Sequence, residues 1–132
     1  MTTFRFTLAP GRAIHDQVVF AATKAILSGE MQPGDPFPSV RALAAELKIN
    51  PNTAAKVVQH LVQEGWLVTA PGKGAVVATP PKAREAERDQ VLNEQAEQLA
   101  VEGRRVGLTL PEITKAVAAH WAKLDGGSSE QS

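Results

Sequence analysis

Residues 34–74 read GDPFPSVRALAAELKINPNTAAKVVQHLVQEGWLVTAPGKG. This stretch carries two short amphipathic helical patterns, then a turn and a two-stranded ribbon tipped by Gly72-Lys73-Gly74. Ser39 has the side chain of a helix N-cap. Behind it Val40, Leu43, Ala44 and Leu47 recur at i, i+3, i+4 and i+7, the spacing that lays one helix stripe on a core. Asn50-Pro51 opens the second helix, with Asn as cap and Pro at the first helical position. Its apolar side is Ala54, Val57, Val58 and Leu61. At about 100° per residue, Asn52, Thr53, Lys56, Gln59, His60 and Gln63 fall on the other side. Gly65 ends this helix. Trp66 to Thr69 and Ala75 to Ala78 read as strands joined by Ala70–Gly74.

Toward the N-terminus, Phe4 to Leu8 alternates like a short strand, and Pro10-Gly11 breaks it. Ile14, Val18, Ala22, Ala25 and Ile26 then predict a helix that stops near Ser28-Gly29. Residues 31–38 hold Pro33, Pro36 and Pro38 with Gly34 and read as a rigid loop. Toward the C-terminus, Thr79-Pro80-Pro81 marks a boundary. A charge-rich helix follows from Lys82 to about Val106, with Leu92, Ala96, Leu99 and Val106 as a thin apolar stripe and Gly103 near its end. Thr109 and Glu112 form a capping box around a tolerated Pro111. Ile113, Val117, His120, Trp121 and Leu124 continue a second helix. The tail from Gly126 is expected to be disordered.

The expected fold is therefore mainly α with a small β wing. It comprises a winged helix-turn-helix domain over residues 1–80, a two-helix segment over 81–125 and a tail over 126–132. The chain has 132 residues, 43% of them hydrophobic, enough for a core. No run approaches a membrane span, and the N-terminus is unlike a secretory signal. The absence of cysteine removes disulfides and thiolate metal sites, which fits a reducing cytoplasm. His15, His60 and His120 lie on three different helices, and no metal or cofactor is expected. Net charge is zero, with a slight basic bias through Pro81 and a slight acidic one after it. Charge alone does not point to nucleic acid.

The pattern does. A helix fits the major groove, and its first residues reach base edges. Asn52, Thr53 and Lys56 stand there. Arg41, in the first turn of the preceding helix, has the forked donor that suits a guanine or a phosphate; pairing with Glu46 is the plain alternative. Ser39 caps a helix N-terminus, where phosphate is favoured. Lys73 and Gly74 at the wing tip combine a charge with close backbone approach. Any surface helix has a polar face, so Gln59, His60 and Gln63 read first as solvated residues.

The ordered set Pro33-Gly34-Asp35, Pro38-Ser39-Val40-Arg41, Leu43-Ala44, Asn50-Pro51-Asn52-Thr53, Gln59, Leu61, Glu64-Gly65 and Gly72-Lys73-Gly74 resembles the winged helix-turn-helix of GntR-type transcription regulators. The short tail and the Asn-Pro-Asn-Thr sequence resemble the YtrA subfamily. The resemblance implies DNA contacts by Arg41, Asn52, Thr53, Lys56 and Gly74. It also has departures. Lys56 stands where arginine is frequent, His15 where tyrosine is common, and Ala70-Pro71 replaces a more basic wing.

Residues 82–125 are too few for an independent core. Leu92, Leu99, Val106, Ile113, Val117, Trp121 and Leu124 are expected to dimerise the chain, with folding back on its own domain as the alternative. The tail is too short for the acid-, sugar- or pyridoxal-phosphate-binding domains of larger family members. Any small-molecule effector stays unidentified. The leading reading is a dimeric, cytoplasmic repressor on a pseudo-palindromic DNA operator. The alternative is a winged-helix protein-interaction module. An enzyme is not expected, because no nucleophile triad, metal-spaced cluster or phosphate loop is present.

Overall fold

The computed structural model describes residues 7–129, with side chains described through residue 125. The described residues form two compact units, residues 7–81 and residues 82–125. Most of the strand expected at Phe4–Leu8 lies outside them, and Thr7 and Leu8 are irregular.

The first unit contains α1 (Ile14–Leu27), α2 (Val40–Leu47), α3 (Pro51–Gln63) and the antiparallel pair β1 (Leu67–Ala70) and β2 (Gly74–Val77). Ala13 offers α1 no side-chain cap. Gln17 instead reaches back from inside the helix. Its Oε1 accepts from the Ala9 amide at 2.7 Å, and its Nε2 donates to the carbonyls of Ala9 at 3.0 Å and Arg12 at 3.2 Å. The expected caps of α2 and α3 are present: Ser39 Oγ accepts from the Ala42 amide at 3.1 Å, and Asn50 Oδ1 from the Asn52 amide at 2.7 Å. Lys48 ends α2 in the left-handed region at φ 56°, an uncommon position for a residue with a side chain. Gly65, at φ 87°, ends α3; its amide bonds to Val62 and the Trp66 amide to Leu61, the paired closure of a Schellman motif.

The predicted stripes meet in one core. Val18, Ala22, Ala25 and Ile26 of α1 are buried with Leu43 and Ala44 of α2 and Ala54, Val57 and Leu61 of α3. Met31, Phe37, Ile49, Leu67 and Val77 complete it from the loops and wing. Ile14, expected in the stripe, is 42% exposed because it is the first residue of α1 and overhangs the core edge.

The wing is shifted by one residue against expectation: β1 begins at Leu67 and β2 at Gly74. The cause is the turn. Leu67 pairs with Val77 and Ala70 with Gly74, so the ladder closes directly on Pro71-Gly72-Lys73. The proline-rich loop is more than a rigid spacer. Gly34 donates to Val77 at 2.8 Å, Val77 to Asp35 at 2.8 Å and Phe37 to Ala75 at 2.9 Å, so residues 34–37 line the second edge of β2.

The first helix of the second unit begins later than the expected Lys82. α4 spans Glu85–Gln90, a π-turn covers Val91–Gln95, and α5 continues over Ala96–Arg105. The Glu87 carboxylate accepts from the Arg84 amide at 2.9 Å and fixes that start. α5 ends at Arg105 with Val106 as its cap, close to the expected end at about Val106, and Gly107, φ 84°, closes the turn. The Gly107 amide bonds to Arg104 and the Leu108 amide to Gly103. Gly103 is buried and serves the contact between α5 and α6 (Leu110–Ser129). Thr109 and Glu112 form the expected capping box, with 2.8 Å from the Thr109 amide to Glu112 Oε1 and 3.3 Å from the Glu112 amide to Thr109 Oγ1. α6 runs to Ser129, through the first residues of the tail expected from Gly126, and the rest of that tail lies outside the described residues. Extending a formed helix costs far less than starting one, so the Gly126-Gly127 pair does not stop it.

Candidate nucleic-acid interface

Each predicted contact residue sits at the start of an element or at a turn. Ser39 and Arg41 open α2, Asn52, Thr53 and Lys56 occupy the first turns of α3, and Lys73-Gly74 lead from the hairpin turn into β2. Ser39, Arg41, Asn52, Lys56, Lys73 and Gly74 are exposed, whereas Thr53 is half-buried beside Ala54. Their positions follow from burial on the opposite side: Ala54, Val57 and Leu61 are each 0% exposed, which turns Asn52, Lys56, Gln59 and Gln63 outward.

Arg41 lies with Val40, Ala44, Ala45, Ile49 and Pro51 around an open depression of about 550 Å³. The guanidinium of α2 and the N-terminus of α3 therefore share one surface. Among the described residues, Arg41, Lys56 and Lys73 have no carboxylate partner, so the alternative Arg41–Glu46 pair is not formed. These cations are available to an outside anion. The first amides of α2 and α3 add the partial positive charge of helix N-termini to the same surface.

Two features escape a reading by periodicity. Lys48 is an exposed cation in the turn between α2 and α3. Its signal is a lysine two residues before an Asn-Pro cap. His60 lies on the side assigned to solvent, yet it is half-buried and its ring meets His15 of α1 edge to face, with centroids 5.4 Å apart. The helical wheel places it correctly in angle. What it misses is α1, which reaches around α3 at that level.

In the second unit, Leu99, Ile113, Val117 and Trp121 line an open apolar groove of about 1060 Å³ together with Arg104, Leu108 and Asp125. Leu92 and Val106 are exposed outside it, and Leu124 is half-buried. Trp121 is 66% exposed, although it is the largest side chain of the stripe. Among the described residues no helix is long and apolar enough to cross a membrane.

Comparison with known proteins gives a consistent result. The profile described as bacterial regulatory proteins, gntR family, matches residues 15–77. The HTH-type transcriptional repressor YtrA of Bacillus subtilis is 31% identical over 115 residues, covering 86% of this chain and 88% of the relative. Among solved structures, a transcriptional antiterminator from Listeria monocytogenes superposes with a TM-score of 0.77 at 23% identity, covering 91% of this chain and 92% of the other. YtrA from Sulfolobus acidocaldarius, a GntR-family transcription factor, superposes at 0.52 with 26% identity, covering 90% and 97%.

Proposed function

The chain belongs to the gntR family of bacterial regulatory proteins, and from that premise we propose that this transcriptional regulator acts as a dimeric repressor on a two-fold symmetric operator. The observation that carries the reading is the surface where Arg41, Asn52 and Lys56 stand exposed at the starts of two capped helices, with both cations unpaired among the described residues. Asn52 and Lys56 read base edges in the major groove, Arg41 takes a guanine or a phosphate, and Ser39, Lys73 and Gly74 hold the backbone beside them.

Chemistry of this kind needs two copies. Residues 1–81 carry seven Lys/Arg against five Asp/Glu, so a single copy gains little from counterion release. Joining two copies doubles those contacts. The groove lined by Leu99, Ile113, Val117 and Trp121 is the surface we assign to the second copy. A contiguous apolar strip of this kind is rarely left to water on a stable chain. Action as a repressor follows the Bacillus subtilis relative. The regulator needs no catalytic step and works in the cytoplasm, where the chromosome is.

A gel shift with the upstream DNA of its own gene tests the reading. Binding should be site-selective and should weaken steeply with salt, in proportion to the phosphates neutralised. Binding that ignores both sequence and salt would favour a protein-interaction module.

A further inference from the structure

His15 and His60 are separated by most of the first unit in sequence, yet their rings meet edge to face at 5.4 Å between centroids, with planes at 80°. His15 Nδ1 lies 3.2 Å from Asp16 Oδ1. A carboxylate there can only accept, so in the neutral ring this contact favours the proton on Nδ1 and leaves the lone pair on Nε2. This is the arrangement in which a carboxylate orients a metal-binding imidazole. The His60 ring has no hydrogen-bond partner among the described residues. Both rings are half-buried, so each is held by packing and still reaches water.

We propose that His15 and His60 form a two-imidazole site for a borderline divalent transition cation such as zinc, which joins α1 to α3. The spacing fits the chemistry. A zinc–nitrogen bond of about 2.0–2.1 Å plus about 1.1 Å from nitrogen to ring centre gives arms of about 3.2 Å, and a tetrahedral angle then separates the ring centres by about 5.2 Å. The observed 5.4 Å is close to that separation, but in the edge-to-face contact the nitrogens do not converge, so binding one cation requires both rings to turn about their Cβ–Cγ torsions. Neutral nitrogen donors select zinc, nickel or copper over magnesium and calcium, which take oxygen. Among the described residues no group of three or more His, Cys, Asp or Glu side chains is arranged around a metal. Water therefore completes the shell, and the cation exchanges readily. Because α3 also carries Asn52 and Lys56, an occupied site fixes the reading helix against α1.

Thermal unfolding of the full chain without DNA, in non-chelating buffer at neutral pH, tests this independently of operator binding. Zinc chloride should raise Tm, and magnesium chloride should not. His15→Gln and His60→Gln should each abolish the zinc shift, and His120→Gln should retain it. His60→Phe keeps the ring packing while removing the nitrogens, so it tests ligation even if glutamine unfolds the site. Asp16→Asn should weaken zinc binding by calorimetry by about tenfold or more. The proposal is overturned if zinc leaves Tm unchanged, if the shift survives in His60→Phe, or if it depends on His120.

Discussion

A Cβ on Gly103 would stand 2.3 Å from Cδ1 and 3.4 Å from Cγ1 of Ile113. α5 and α6 thus meet where α5 has no side chain. Gly103→Ala would gain about 0.5–1 kcal/mol of helix propensity, and the atom it meets is the free end of the half-buried Ile113 side chain, which can turn toward the open groove. An unchanged or slightly raised Tm is expected. Gly103→Val puts two further methyl groups at the same contact and should lower Tm, and Ile113→Val in that background should recover part of the loss.

The groove beside that contact makes the assembly testable. Val117→Asp or Trp121→Asp puts a charge into the face assigned to the second copy. Sedimentation of either full-length variant should show monomers, with helical content by circular dichroism kept. A variant that remains dimeric would remove this face from the interface.

Arg41 has a specific expected effect. Arg41→Ala should cost about 1–3 kcal/mol on the operator if the guanidinium reads a base. A matching loss on unrelated DNA would make Arg41 a phosphate clamp. Arg41→Lys should restore charge without restoring site preference, because an ammonium cannot make the forked contact.

Helix starts are the next test. Asn50→Ala removes the acceptor for the Asn52 amide and should destabilise the first unit by about 0.5–2 kcal/mol in urea unfolding. Leu61→Ala, at a fully buried position, should cost about 2–5 kcal/mol and lower DNA binding only through the folded fraction.

Acid should loosen the start of α6. The Thr109 amide, and secondarily its hydroxyl, hold the Glu112 carboxyl below the usual glutamate range. A carboxyl depressed in the folded state contributes fully above its unfolded value, and the contribution disappears as pH falls through the folded one. Helicity should therefore decline on the acid side of the carboxylate range. Glu112→Gln should flatten that decline, as circular dichroism against pH would record.

What was legible in the sequence is mostly what a few neighbouring residues decide. Ser39, Asn50-Pro51 and the Thr109–Glu112 pair act on amides two or three residues away, and each start follows from them. Gly65 likewise marks its own helix end. The core stripes follow from a period. Contacts across elements are different. Nothing local says that Gln17 secures Ala9, that residues 34–37 line β2, or that His60 meets His15. Gly103 shows the two cases side by side: its place near the end of the helix is legible in the sequence, but its packing against Ile113 is not. The π-turn at Val91–Gln95 has no counterpart in the periodicity, and no physical cause is evident for it.

The loop over residues 34–37 has a wider consequence. It is bonded to β2 through Gly34, Asp35 and Phe37, and within two residues it becomes the Ser39 cap of α2. If Arg41 and Lys73 hold DNA as proposed, wing and guanidinium act as two jaws of one caliper joined by this loop. Substitutions at Arg41 or Lys73 would then change what each jaw grips. The span of operator between them would follow the loop, so a differently spaced site would be reached through its prolines.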